Sequence, residues 1–229
     1  MTSNARTTSR ANFLPLILAA IAVIVFLGGL LVGTRHFSSG TSFGAREAVI
    51  SRLESPLDNP HGYAIAASAV AICGALMLPA VRIIFLALRE TSAVVSGLGS
   101  LLLGLGFIGE ISLGCLARLW SMYGKAHIIL AFGTFIAISA GLVICLALAA
   151  WLRRNYGLFL LAAVQVLAVS TLVYMLFHPD FPPERSFLTS LAFFEWLLCV
   201  SFIVSVLALV ASVTFPLTGE RTSPEALST

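Results

Sequence analysis

At 229 residues, of which 59% are hydrophobic and only 10% charged, this chain cannot clothe a water-facing surface, because soluble domains carry roughly 25% charged residues. A mean hydropathy of +1.02 excludes an ordinary soluble domain, and a net charge of +3 is too small to suggest nucleic acid as a partner. Lipid is the expected covering.

A spanning helix needs about 20 mostly apolar residues, and six runs qualify, so the expected fold class is all-α, a polytopic transmembrane bundle of about six helices. Residues 1–12 form a polar N-terminal tail carrying Arg6 and Arg10. The first span covers 13–33. Its apolar stretch exceeds the 7–15 residues, roughly, of a signal-peptide core, and no small-x-small cleavage site follows, so it is expected to stay in the mature chain. Residues 34–60 form a long loop rich in Ser, Gly and charge. Within it Ala45, Val49, Ile50 and Leu53 recur at helical spacing between Arg46, Glu47, Arg52 and Glu54. That pattern fits a short helix lying on the membrane surface or an amphipathic loop helix packed on the bundle.

The remaining spans are expected at 62–88, 92–119, 126–151, 156–177 and 188–215, joined by short connections. A polar tail, 216–229, begins at Pro216 and is expected to be flexible. The runs are continuous and lack a period of two, which argues against strands. Lys and Arg near span ends set orientation. Arg6, Arg10, Arg82, Arg89, Arg153, Arg154 and Arg221 fall on one side; Arg35, Arg46, Arg52, Arg118, Lys125 and Arg185 fall on the other. Three of the second set lie in the long first loop, whereas Arg153 and Arg154 share a very short one. The expectation is therefore cytoplasmic termini, an exterior 34–60 loop and, for a prokaryotic chain, the plasma (inner) membrane.

Two carboxylates, Glu110 and Glu195, fall inside predicted spans. A charge at mid-span costs about 2.5–3.5 kcal/mol on insertion scales, and such residues are usually paired or functional. Gly99, Gly106 and Gly114 share the helical face of Glu110, and small residues let helices approach closely. Glu110 is therefore expected to face another helix. All four histidines fall on one side of the topology: His36 after the first span, His61 before the second, His127 at the start of the fourth and His178 at the end of the fifth. Glu110 lies about ten residues, and Glu195 about seven, from the same face. At ~1.5 Å per residue, both acids sit ~10–15 Å below one surface.

Such a set forms a polar pocket in one leaflet, able to exchange protons or hold a lipid headgroup. The expected ligand-contacting residues are Glu110, His127 and Glu195, with His61, His178, Glu184 and Arg185 around the mouth. The proline-rich stretch His178-Pro179-Asp180-Phe181-Pro182-Pro183-Glu184-Arg185 would stiffen a loop there or simply break the helix. No HxxxH or HxxE spacing supports a metal site, and no cofactor motif is present: there is no P-loop, GxSxG, HExxH or strand-borne GxGxxG. Cys73, Cys115, Cys145 and Cys199 lie in apolar runs without a CxxC pair, as small buried residues do.

Three features resemble the six-span superfamily that includes the DRAM-type autophagy modulators, the FRAG/SFK-type proteins of GPI-lipid remodelling and similar bacterial and archaeal proteins. They are the glycine-rich GLGSLLLGLGFIGE of the third span, His127 followed by Phe132 and Phe135, and Glu195-Trp196 preceded by Pro182-Pro183-Glu184-Arg185. The likeness spans the second to sixth helices. It implies a lumen- or exterior-facing polar site, and it carries over to His127, Glu195, Glu184 and Arg185. Membrane lipids are the expected partners. An accessory role within a larger membrane complex and proton-coupled transport of a small solute are the alternatives. Whether any reaction is catalysed is left open.

Overall fold

The structure, a computed structural model, describes residues 13–37, 50–122, 124–177 and 191–215. The two tails, residues 38–49 of the 34–60 loop and the 178–190 stretch with His178, Glu184 and Arg185 lie outside the described residues. Among the described residues eight helices follow in chain order: α1 (Leu14–Arg35), α2 (Ile50–Leu53), α3 (Tyr63–Leu88), α4 (Ala93–Cys115), α5 (Ala117–Met122), α6 (Gly124–Arg153), α7 (Tyr156–Phe177) and α8 (Leu191–Thr214). Among the described residues there is no strand. The chain is thus an all-α, polytopic membrane helical bundle. Helices suit this setting because each satisfies its own backbone N–H and C=O groups where water cannot.

Five helices, α1, α3, α4, α6 and α8, are long and apolar enough to cross a membrane, and α7 contributes a shorter apolar stretch, Tyr156–Thr171. The six long helices close a ring. Neighbouring pairs run α1–α3, α3–α4, α4–α6, α6–α7, α7–α8 and α8–α1, and α8 also reaches α3 and α6. Half of the apolar window of α8 is buried, against 22% for α1, so α8 lies toward the interior and α1 at the rim. The outward faces carry exposed Ile, Leu and Val, among them Ile24, Leu101, Ile129 and Leu167. Lipid tails, not water, are the medium that tolerates such a surface.

Close approach explains the glycines of α4. A side chain at Gly106 would strike the backbone and side chain of Ile138 on α6, and one at Gly114 would strike the backbone of Ala67 and Ala71 on α3. The glycines sharing a helical face with Glu110 therefore serve two neighbours, α6 and α3, and Glu110 emerges between them. The expected third span, 92–119, is shorter than its hydropathy suggests. Helix α4 ends at Cys115, Leu116 turns, and α5 begins at Ala117. Residues 116–122 are apolar enough to extend the hydropathy run, yet Ala117–Met122 form a separate helix. Glu110 thus lies five residues from its helix end and Glu195 four residues from its own, about 6–8 Å in.

Candidate functional site

The site begins with a roof. Ile50 and Leu53 of α2 are buried with Leu30 of α1 and Ala66 of α3, and Phe26, Phe37, Trp196 and Cys199 pack around them. The short helix is therefore seated in the bundle and does not lie on the membrane surface. Burying an Ile or Leu side chain stabilises by about 1.5–3 kcal/mol relative to water, enough to seat four residues but not to fix their orientation. Polar ties fix it. Asn59 is fully buried. Its side-chain N–H₂ donates to the carbonyl of Leu53 (2.9 Å) and to that of Gly33 (3.3 Å), while its Oδ1 accepts from the N–H of Gly62 (3.1 Å). One amide thereby joins the end of α1, the end of α2 and the start of α3. On the far side of the roof, Glu195 Oε2 accepts from the N–H of Ile50 at 2.7 Å, a short bond. Outside, Arg52 pairs with Asp58 at 3.1 Å and stands 6.0 Å from the centre of the Phe37 ring.

Under this roof is a cavity of about 90 Å³, lined from α1, α2, α3, α4, α6 and α8. Glu54, Glu110, His127 and Glu195 all line it, with Cys73, Cys199 and Thr134. Glu110 and Glu195, the two acids marked by their place in apolar spans, share one space, and His127 reaches it from the first turns of α6. Along α8 the lining runs from Glu195 to Val206, and along α6 from His127 to Ile138. Eleven residues of helix measure about 16 Å, so the cavity is long for its volume and admits a slender group. Its deeper walls are apolar: Met77, Phe107, Phe135, Ile138, Phe202 and Val206.

The polar groups are unevenly served. Glu195 has its bond to α2. By contrast, the buried Oε2 of Glu110 and the Oγ1 of Thr134 have no hydrogen-bond partner within the described residues. Gly74 of α3 stands against Cβ of Glu110 and the Phe107 carbonyl, so that any side chain there would collide with them. Glu54, just after α2, is pushed up to about 8 from the usual carboxylate range; burial is the main cause, and the Glu195 and Glu110 carboxylates add to it.

Glu54 is the residue that the hydropathy pattern missed. It follows Ile50 by four positions and so shares that residue's inward face, a signal masked by its place in a charged loop. Asn59 gives no periodic signal at all. Of the other expected residues, His61 is exposed before α3 and does not line the cavity, nor does the exposed His36 at the end of α1. His178, Glu184 and Arg185 lie outside the described residues. Among those described, no three His, Cys, Asp or Glu side chains converge as a metal would require, and the four cysteines are free.

Compared with known proteins, the chain matches no family model, no curated protein and no solved structure. Its composition and helices make it an integral, multi-pass membrane protein of the all-α class.

Proposed function

We propose that this is a six-span membrane protein that binds a lipid or related amphiphile in the cavity beneath α2. The polar end of the ligand meets Glu54, Glu110, His127 and Glu195, and its chain lies along the apolar walls toward Val206. One observation carries the proposal: ionisable side chains from four separate elements gather at one end of a narrow apolar space. A pocket that is mostly apolar with a few converging polar groups is the usual form of a small-molecule site. The likeness of the glycine-rich α4, His127 and Glu195-Trp196 to the six-span FRAG/DRAM/SFK group points the same way. In this proposal both termini are cytoplasmic, as the distribution of arginines favours, and the site opens toward the exterior leaflet.

Native mass spectrometry of the full chain, extracted in mild detergent, tests it. The wild type retains a lipid that His127→Ala and Glu195→Gln lose. Unchanged retention in both variants removes the proposal.

A proton-coupled carrier is the second reading, favoured by the three acids in one cavity. Against it, the acids cluster at one end, and among the described residues the deeper walls offer Thr134 alone as a polar step. A binding site fits that polarity better than a relay does.

A further inference from the structure

At the end of the bundle away from α2, the turn after α3 and the turn after α6 border one open groove of about 830 Å³. Glu90 comes from the first turn, Trp151 from the end of α6, Arg154 from the connection, and Tyr156 and Phe159 from the start of α7. Arg154 and Asn155 alone separate α6 from α7, and the left-handed backbone of Arg154 (φ 50°) makes so short a turn possible. That is how rings from two successive helices come to line the same groove. All five residues sit where a span gives way to its loop, which is the depth of lipid headgroups.

The groove holds one charge of each sign. Glu90 and Arg154 are both exposed, and among the described residues they form no ion pair with each other, whereas Arg52 and Asp58 at the other end do. Trp151, Tyr156 and Phe159 stand exposed between them. A guanidinium takes a phosphate through paired N–H donors. A carboxylate beside aromatic rings suits an ammonium, which the ring faces attract. A headgroup with a phosphate and an ammonium on one short linker answers both sides of the groove. An anionic headgroup would set its charge beside Glu90, and a cationic one would set its charge beside Arg154. The hydrocarbon of such a ligand also has a place. Beyond the groove α7 presents Leu160, Val164 and Leu167 outward, at spacings that put them on one helical face.

We propose that this groove is a lipid site in its own right, taking the headgroup of a zwitterionic glycerophospholipid. Its phosphate lies on Arg154, its ammonium lies between Glu90 and the Trp151 and Tyr156 rings, and its acyl chains follow α7. The site is separate from the cavity beneath α2 and does not depend on what that cavity binds.

Phosphatidylethanolamine, phosphatidylcholine and phosphatidylglycerol with identical acyl chains share the phosphate and differ in what it carries: a primary ammonium, a quaternary ammonium or an uncharged glycerol. Each is titrated into the full-length, delipidated chain in detergent, and occupancy is read by native mass spectrometry. At least one ammonium lipid should bind about fivefold tighter than the glycerol lipid, and the better of the two names the source of the ammonium. Glu90→Gln should bring the three lipids level, and Arg154→Gln should weaken all three about fivefold. His127→Ala, which alters the cavity beneath α2, should leave the wild-type ranking in place. Equal binding of the three lipids by the wild type, or a preference for the glycerol lipid, overturns the proposal. A preference that survives Glu90→Gln, or that disappears in His127→Ala, belongs to another site and overturns it too. The wild-type ranking needs no variant, so a misfolded mutant cannot hide the answer.

Discussion

At the end of the bundle that carries His127, the helices are joined through the interior. Asn59 sits fully buried between α1, α2 and α3, and Glu195 crosses to the backbone of α2. At the opposite end Ser96 Oγ donates to the Phe85 carbonyl at 3.2 Å between α4 and α3, and the other ties run over the surface. Arg153 donates to the carbonyl of Phe215 at 2.9 Å, Phe13 meets Phe215 edge-on with ring centres 5.7 Å apart, and Asn155 caps the start of α7 through Gly157. Trp151 and Tyr156 stand exposed there, where amphipathic rings anchor a helix at the membrane–water boundary. Burying polar side chains is costly unless each is satisfied. A fold that needed only to stand in a membrane could close both ends in the second manner. The first is the arrangement expected where an interior space must be kept open and roofed.

The sharpest way to break this contrast is Asn59→Ala. It strips the donors from two carbonyls and the acceptor from one N–H, all in the interior. Each unsatisfied buried group costs about 1–3 kcal/mol, so a loss of about 3 kcal/mol is expected after partial relaxation. The thermal midpoint should fall, and amide hydrogen exchange across residues 50–62 should accelerate while α6 and α7 stay protected. If exchange in 50–62 does not change, the roof is held by Ile50 and Leu53 alone, and the interior tie is dispensable.

A pH-dependent effect comes from Glu54. Its pKa in the folded chain is raised to about 8, whereas an unfolded chain holds glutamate near about 4.3. The folded form therefore keeps a proton that the unfolded form releases. The associated stability is fully present below pH ~4.3, declines as pH rises, and is gone above ~8. Thermal midpoints measured from pH 5 to 8.5 should fall in the wild type and fall less steeply in Glu54→Gln. The groups facing Glu54, namely Glu110, Glu195, His127, Cys73 and Cys199, are unchanged in the variant, so the difference isolates one carboxyl. Parallel pH profiles would mean that Glu54 meets water and that the cavity end is as open as the opposite one.

The same contrast explains what could be seen in advance. Apolar runs mark membrane helices because lipid demands about 20 such residues in a row, and α1, α3, α6 and α7 begin and end within two residues of where hydropathy puts them. Glu110 and Glu195 were legible for a related reason: an acid is conspicuous where everything around it is apolar. Glu54 was not, because a charged loop gives an acid no contrast, and only tertiary packing turns it inward. The break at Leu116 is invisible to hydropathy, which does not register an interruption between two apolar helical segments. Asn59 gives no such signal because its role lies in joining the ends of three helices, a matter of tertiary contact.

The opposite end offers the mildest test, and it runs in the other direction. Arg154 closes the turn between α6 and α7 with φ = 50°, in the left-handed region where an L side chain crowds the following carbonyl at a cost of about 1–2 kcal/mol. The N–H of Asn155 bonds the carbonyl of Ala150 at 3.1 Å and that of Arg154 bonds Trp151 at 3.4 Å, the double closure with which helices commonly end on glycine. Arg154→Gly relieves the crowding but gives the unfolded chain more freedom, so a net gain of about 0.5 kcal/mol is expected. A slightly raised thermal midpoint with unchanged amphiphile retention fits a turn whose arginine serves membrane orientation and not the fold. Should the variant lose stability instead, the Arg154 side chain supports the turn itself. The opposite end would then also depend on a specific polar tie, and the two ends would differ less than their geometry suggests.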